Sequence, residues 1–341
     1  MALTEEQQDK KTLSLGFIGV GWIGRNRMEV LLNAGKAEAA IISEPYEQNA
    51  TEALKSAPNA LVTDTPESIY SNPGLDGIVI ATPSAMHAAQ SVEALNAGKA
   101  VFCQKPLGRT ADEVRQVVQA SKQADKLLAV DLSYRYTKAF KAVYDVITSG
   151  QIGKVYAVDL TFHNAYGPDK EWFYDIKRSG GGCVMDLGIH LVDLALWSLG
   201  FPEITEISSQ LFCKGEKLEP KEEKVEDFAR VLMMTDADTA ISLECSWHVS
   251  AGQDAVIEAK FYGTEGGAAF KNINGSFYDF TAEKYKGTHK EILVSPPDDW
   301  SGRAGIAWAD EVLKGTGYDS KTAEEFIKTA EIIDRIYERQ A

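Results

Sequence analysis

Gly19-Val20-Gly21-Trp22-Ile23-Gly24 constrains this chain more than any other stretch, because it joins a β-branched apolar run, Ser14–Val20, to a helical pattern. In such a GxGxxG the first glycine makes the tight turn. The second lets a pyrophosphate approach the backbone, and the third lets the helix pack on the strand. Phosphates held there would face the positive end of the helix. Glu44 stands 20 residues past Gly24, at the end of the next apolar run, where a carboxylate can accept both ribose hydroxyls of an adenosine. A carboxylate there also repels a 2′-phosphate, and no Arg or Lys stands in the next ten residues to offset it. The spacing therefore predicts a dinucleotide site that prefers NAD to NADP.

The glycine loop opens a longer rhythm. Ser14–Val20, Ala39–Ser43, Leu61–Thr63, Gly77–Ala81, Ala100–Cys103 and Leu127–Asp131 read as buried parallel strands. Helical patterns lie between them, such as Arg25–Ala34 before Gly35 and Met86–Ala97 before Gly98. Thr110 and Glu113 form a capping box for another. This βαβ alternation predicts a doubly wound parallel sheet. After about Asp131 the pattern changes. A helix at Lys138–Ser149 leads to an alternating run at Lys154–Phe162 and a glycine-rich loop with a helix at Gly180–Leu199. Glu206–Lys214, Asp227–Met234, Thr239–His248, Ala255–Tyr262, Ala268–Lys271 and Ser276–Thr281 then follow with hairpin-length turns, predicting a large, mostly antiparallel open sheet. A final helix is expected over Ala323–Arg339, capped at Thr322. The α/β chain thus divides into a flexible extension at 1–11, a Rossmann domain at 12–132, and a second domain at 133–341.

Length supports that division, since 341 residues exceed what one core organises. A net charge of −15 repels phosphate backbones and anionic headgroups, which argues against nucleic acid and membrane surfaces as partners. Cys103, Cys183, Cys213 and Cys245 lack framework or CxxC spacing and read as free thiols of a reducing compartment. Met1–Lys11 is polar, without the apolar core of a signal peptide. The apolar runs fall short of a membrane span, so a cytoplasmic location is expected.

Three further clusters carry chemistry. Thr82-Pro83 and His87 follow the fourth strand, at the sheet edge where open α/β folds bind ligands. There His87 reads first as a hydrogen-bonding residue at a helix start. Gln104-Lys105-Pro106 ends the fifth strand. Asp186 and His190 follow Gly180-Gly181-Gly182, and a spacing of four puts both on one helical face, with Asp193 just beyond. One Asp and one His on a single helix are too few ligands for a metal, and none is expected.

Taken in order, these motifs resemble the glucose–fructose oxidoreductase and inositol dehydrogenase (Gfo/Idh/MocA) family. The resemblance extends through Ser149-Gly150-Gln151-Ile152-Gly153-Lys154, Glu226-Asp227 and Gly263-Thr264-Glu265-Gly266. It implies an NAD-dependent oxidoreductase that moves a hydride to or from a carbon of a sugar or cyclic polyol such as an inositol. The resemblance also assigns substrate binding and oligomerisation to the second domain: the site is expected in the cleft between the domains, and the sheet of the second domain is expected to build homodimers or homotetramers. Lys105, Asp186 and His190 are implied as the catalytic set. Gly19, Gly21, Trp22, Ile23, Gly24, Glu44, Thr82, Pro83, His87, Gln104 and Lys105 are the expected cofactor contacts. Arg135, Trp172, Tyr174 and Arg178 join Lys105, Asp186 and His190 as expected substrate contacts. The family usually carries Glu where this chain has Gln104, which removes a negative charge beside Lys105. Two other classes stay open: a hydrolase that cleaves a glycosidic bond through transient oxidation by NAD, and a nucleotide-sensing regulator without turnover.

Overall fold

Six short apolar runs pair as one all-parallel sheet: β1 (Leu13–Ile18), β2 (Ala37–Ser43), β3 (Leu61–Thr63), β4 (Gly77–Ile80), β5 (Ala100–Cys103) and β6 (Leu128–Val130). Every residue of β4 and β5 is buried, as strands sandwiched between helices must be. The computed structural model describes residues 12–219, 223–298 and 300–338, so the extension read at 1–11 lies outside the described residues. Helices α1 (Trp22–Asn33), α2 (Glu47–Leu54), α3 (Glu67–Tyr70), α4 (Ser84–Asn96) and α5 (Ala111–Ala124) connect the strands. The strand order β3-β2-β1-β4-β5-β6 reverses between β1 and β4, which is the switch point where such sheets bind ligands.

The second sheet has nine strands: β7 (Val155–Asn164), β8 (Ile204–Cys213), β9 (Glu216–Lys217), β10 (Phe228–Thr235), β11 (Ala240–Ser246), β12 (Ala255–Gly263), β13 (Gly267–Asn272), β14 (Phe280–Lys286) and β15 (His289–Val294). Its order is β15-β14-β13-β12-β7-β11-β10-β8-β9, and only β7 and β11 pair in parallel. One face buries Val158, Leu160, Phe162, Val231, Leu243, Phe261 and Phe270. Helix α6 (Lys138–Thr148) packs on β13–β15. Beyond the one-turn α7 (Ile176–Ser179), α8 (Ile189–Ser198) packs on β7. The opposite face carries ion pairs such as Arg230–Glu244 and Lys271–Glu283, with Leu232 58% exposed among them. The apolar face is therefore covered by the chain's own helices, so an uncovered apolar face supplies no reason to oligomerise.

Four expectations are corrected. Residues 301–327 do not join the second unit but return to the first, with residues up to 108 and 112–133. The reason is α9 (Arg303–Leu313), whose Trp308 packs 5.8 Å from the Phe102 ring and covers Gly77, where any side chain would strike the indole. The last helix, α10 (Ser320–Ile336), starts before Thr322 because Asp319 Oδ1 accepts the backbone N–H of Lys321 and Thr322 at 3.0 and 3.3 Å. The strand expected at Ser276–Thr281 begins at Phe280, since Asn272 and Ser276 hold the preceding residues in a hydrogen-bonded turn. Finally, the segment Ile176–Ser198 is by length and composition apolar enough to cross a membrane, but Gly180 and Gly181 break it at positive φ and 94% of its apolar window is buried in the fold, so it is core.

Candidate active site

At the switch point the three glycines divide their labour as the motif demands. Gly19 adopts φ +83°, and a Cβ there would sit 2.8 Å from Ala81 O. A Cβ on Gly24 would collide with the Gly19 carbonyl, so only glycine lets α1 approach β1 so closely. Gly21 faces open space, with nothing within 4 Å of its missing Cβ. No side chain caps the N-terminus of α1, which leaves its first N–H groups to a ligand. Trp22 at the first turn is 64% exposed, and Ile23 is half-buried. Glu44 is buried, and each carboxylate oxygen is already held: Val20 N donates to Oε2 at 2.9 Å and Tyr46 N to Oε1 at 3.1 Å. The remaining lone pair on each oxygen suits a ribose diol. These residues fit a dinucleotide.

Thr82 Oγ1 donates to Gln90 at 2.6 Å, and Pro83 leads into α4 in an extended conformation. The His87 ring is turned away from the surface. It is buried, with Nδ1 2.6 Å from Pro106 O and Nε2 2.6 Å from Thr82 O. Burial pushes its pKa down, against the pull of the two carbonyls. The helical phase of α4 turns the ring inward, so His87 braces the Thr82 turn against the Lys105-Pro106 turn.

Beneath that turn lies a buried network missing from the sequence expectations. Arg27 Nε pairs with Asp131 Oδ2 at 2.6 Å, with side-chain exposures of 2% and 1%. Ser133 Oγ donates to Asp131 Oδ1 at 2.5 Å, and Gln104 Nε2 donates to Asp131 Oδ2 at 2.6 Å. Gln104 thus acts as a donor to a carboxylate, which a glutamate at this position could do only when protonated. Lys105 follows, half-buried at the end of β5.

In the second unit the glycine-rich loop is tied down by a buried carboxylate. Glu226 accepts the backbone N–H of Gly182 at 3.0 Å and of Val184 at 2.9 Å, and Tyr337 Oη donates to it at 2.7 Å. Burial raises the Glu226 pKa, opposed by these donors. A negative group at this helix start also meets the positive end of its dipole. The segment Val184–Gly188 is π-helical and becomes α-helical only at Ile189. Asp186 and His190 therefore share one helix, but the wider turn displaces them from the α-helical face that their spacing of four implied. Asp186 turns to Trp247, whose Nε1 donates to its Oδ2 at 3.1 Å. The His190 ring stands edge-on to Tyr134, with centroids 5.0 Å apart.

The expected substrate contacts separate. Arg135 is bound in both directions by Asp193, at 2.7 and 2.5 Å, and lies over the Trp197 ring at 5.1 Å. These contacts tie Arg135 to Asp193, whose side chain is 1% exposed. Trp172 stacks on Phe173, and Arg178 is exposed. Tyr174 does join the group, with its ring 5.6 Å from that of Trp247. Burial, then the charges of Asp186 and Asp227, raise its pKa. Trp247, Tyr134 and Glu226 went unread as site residues; the only signals were a tryptophan closing a strand and the Glu226-Asp227 pair.

Comparison with known proteins agrees with this geometry. Residues 13–132 match the oxidoreductase family with an NAD-binding Rossmann fold, and residues 140–269 match the GFO/IDH/MocA C-terminal domain. The chain is 27% identical over 261 residues to inositol 2-dehydrogenase of Rhizobium meliloti (strain 1021), covering 76% of each protein. It is 26% identical over 247 residues to D-glucoside 3-dehydrogenase of Escherichia coli (strain K12), covering 69% of this chain and 68% of that one. Among solved structures it superposes on levoglucosan dehydrogenase in complex with NADH and levoglucosan (TM-score 0.80, 22% identity, 96% of both chains). It also superposes on KijD10, a 3-ketoreductase from Actinomadura kijaniata in complex with NADP and TDP-benzene (TM-score 0.81, 19% identity, 95% and 97% of the chains). With both halves matched and the dinucleotide cradle in place, this chain belongs to the Gfo/Idh/MocA family and is an NAD(P)-dependent dehydrogenase acting on CH–OH groups.

Proposed function

We propose that the chain transfers a hydride between nicotinamide and a carbinol or carbonyl carbon of a sugar or cyclic polyol, with NAD preferred. The observation that carries this reading is the placement of Asp186 and His190 four residues apart on one helix, with the carboxylate held by Trp247 and the imidazole edge-on to Tyr134. The relatives that act on inositol and glucosides support the substrate class. Bound nicotinamide supplies or accepts the hydride. His190 takes the hydroxyl proton at a ring nitrogen. Lys105 stabilises the negative charge that develops on the oxygen, and Asp186 orients the hydroxyls. A dye-linked screen of polyols and aldoses with NAD tests the reading, and absence of turnover across the panel counts against it.

The cofactor preference follows from Glu44, held by two backbone N–H groups where a 2′-phosphate would meet its charge. NADH is expected to bind at least about tenfold more tightly than NADPH, by calorimetry. Replacing Glu44→Ser together with Pro45→Arg shifts the preference toward NADPH; equal affinities in the parent chain would remove Glu44 from this role.

Self-association through the polar face of the nine-stranded sheet is a further part of the proposal. Its support is the extent of that face and the exposed Leu232 set among ion pairs. Sedimentation at micromolar concentration is expected to show a dimer or tetramer, and a monomer refutes it.

A further inference from the structure

We propose that a cavity in the second unit, walled by Phe212, Val225, Phe228 and Trp247, binds an apolar ring carried as the aglycone of a glycoside substrate; this rests on the sugar reading above. The cavity has a volume of about 930 Å³, at the upper end of the roughly 300–1,000 Å³ typical of small-molecule sites. Phe212 and Phe228 stand opposite each other in the β8–β10 register, with ring centroids 6.0 Å apart and planes at 73°. Two half-buried aromatic rings side by side present the wall that a flat apolar group requires. Trp247 supplies the link to chemistry. Its indole lines the cavity, while its Nε1 holds Asp186 at 3.1 Å. One side chain therefore separates the cavity from the carboxylate assigned to the sugar hydroxyls.

The rim is built in advance. Tyr174 Oη donates to Pro168 O at 3.0 Å and lies 3.4 Å from His248 Nε2. His248 adopts φ +63°, a left-handed position that side chains other than glycine seldom take. Gly167 stands against both groups with no room for a Cβ. Such strain is kept where the surroundings over-determine it, and it recurs at ligand sites. Asp227 Oδ2 accepts the Lys214 backbone N–H at 2.9 Å across the β8–β9 turn, and Lys214, Glu223 and Lys224 also line the opening beside the aromatic walls. A second sugar ring needs many directed hydrogen bonds, and an apolar ring needs only the walls.

Phenyl β-D-glucopyranoside and methyl β-D-glucopyranoside are the probes. The phenyl glycoside is expected to show a KM about tenfold lower than the methyl glycoside, the scale of a small apolar group filling a hydrophobic pocket. Val225→Trp, which fills the cavity, should erase that difference and leave the methyl glycoside unchanged; Phe212→Ala tests the same wall if the tryptophan variant does not fold. A second readout needs no turnover. Cys213 lines the cavity and is half-buried, whereas Cys103, Cys183 and Cys245 are buried. Phenyl glycoside at ten times its Kd should slow alkylation of Cys213 by iodoacetamide about tenfold, and methyl glycoside should not. Protection of Cys213 without turnover of either glycoside upholds the cavity and sinks the sugar-dehydrogenase reading. Turnover of the methyl glycoside with no phenyl preference and no protection overturns the cavity instead. Cellobiose that outperforms the phenyl glycoside overturns the apolar assignment, and failure of both turnover and protection overturns both.

Discussion

Lys105→Met is expected to lower kcat by about 10²–10³ while NADH still binds with its parental affinity, the scale for deleting one preorganised donor. Its charge matters as hydride and proton leave, so the loss falls on the transition state and spares the ground-state complex. His190→Asn is expected to cost about 10²–10⁴, the range for a general base. The two residues belong to different units of the chain, and the double variant asks whether they serve one step. If they do, it loses less than the sum of the single free energies. Steady-state kinetics on any accepted polyol, paired with NADH titration of each variant, makes the measurement. Near-normal turnover in both single variants places the chemistry elsewhere. Turnover that vanishes together with NADH binding makes the residues structural.

Asp131→Asn is expected to destabilise the first unit by about 3–5 kcal/mol, because it breaks the buried ion pair between the Asp131 carboxylate and Arg27. Arg27 and Asp131 are almost fully enclosed and 2.6 Å apart, so water cannot replace the lost partner. Replacing both, as Arg27→Met with Asp131→Leu, should recover most of the loss, since removing a buried pair as a whole costs far less than breaking it. Urea unfolding of each variant reads this directly, and a single-variant loss below about 1 kcal/mol contradicts it. The same network accounts for Gln104. Its amide donates to Asp131 at 2.6 Å, and Gln104→Glu would set a second carboxylate there, where two like charges cannot both ionise. The departure from the family's usual glutamate is thus matched to an aspartate 27 residues away.

The parallel sheet of the first unit was legible in sequence to within a few residues, but the return of residues 301–327 to that unit was not. The signals of the sheet are local: glycines at fixed offsets, β-branched runs bounded by turns, and an acidic residue closing β2. Each of these acts through backbone geometry within one turn of chain, so order along the sequence carries the information. The placement of Asp186 and His190 on one helix was local too. How they are oriented was not, because the π-helical turn at Val184–Gly188 starts where Glu226, more than 40 residues away, holds the N–H groups of Gly182 and Val184, and Asp186 is held by Trp247.

What the sequence by itself determined is therefore the doubly wound parallel sheet and the glycine turn of a dinucleotide site, whereas the roles proposed for Lys105, Asp186 and His190 come from the family resemblance. Tertiary structure alone decided what each polar side chain faces. Arg27 finds Asp131 at a separation of 104 residues, Trp247 finds Asp186 at 61, and Arg135 is taken by Asp193 at 58. It likewise set the His87 ring between Pro106 O and Thr82 O and sent residues 301–327 back to the first unit. Periodicity shows which face of an element is apolar. Only the folded core, where every buried polar group must find a partner and every ring a neighbour, selects which distant residue that face or group will meet.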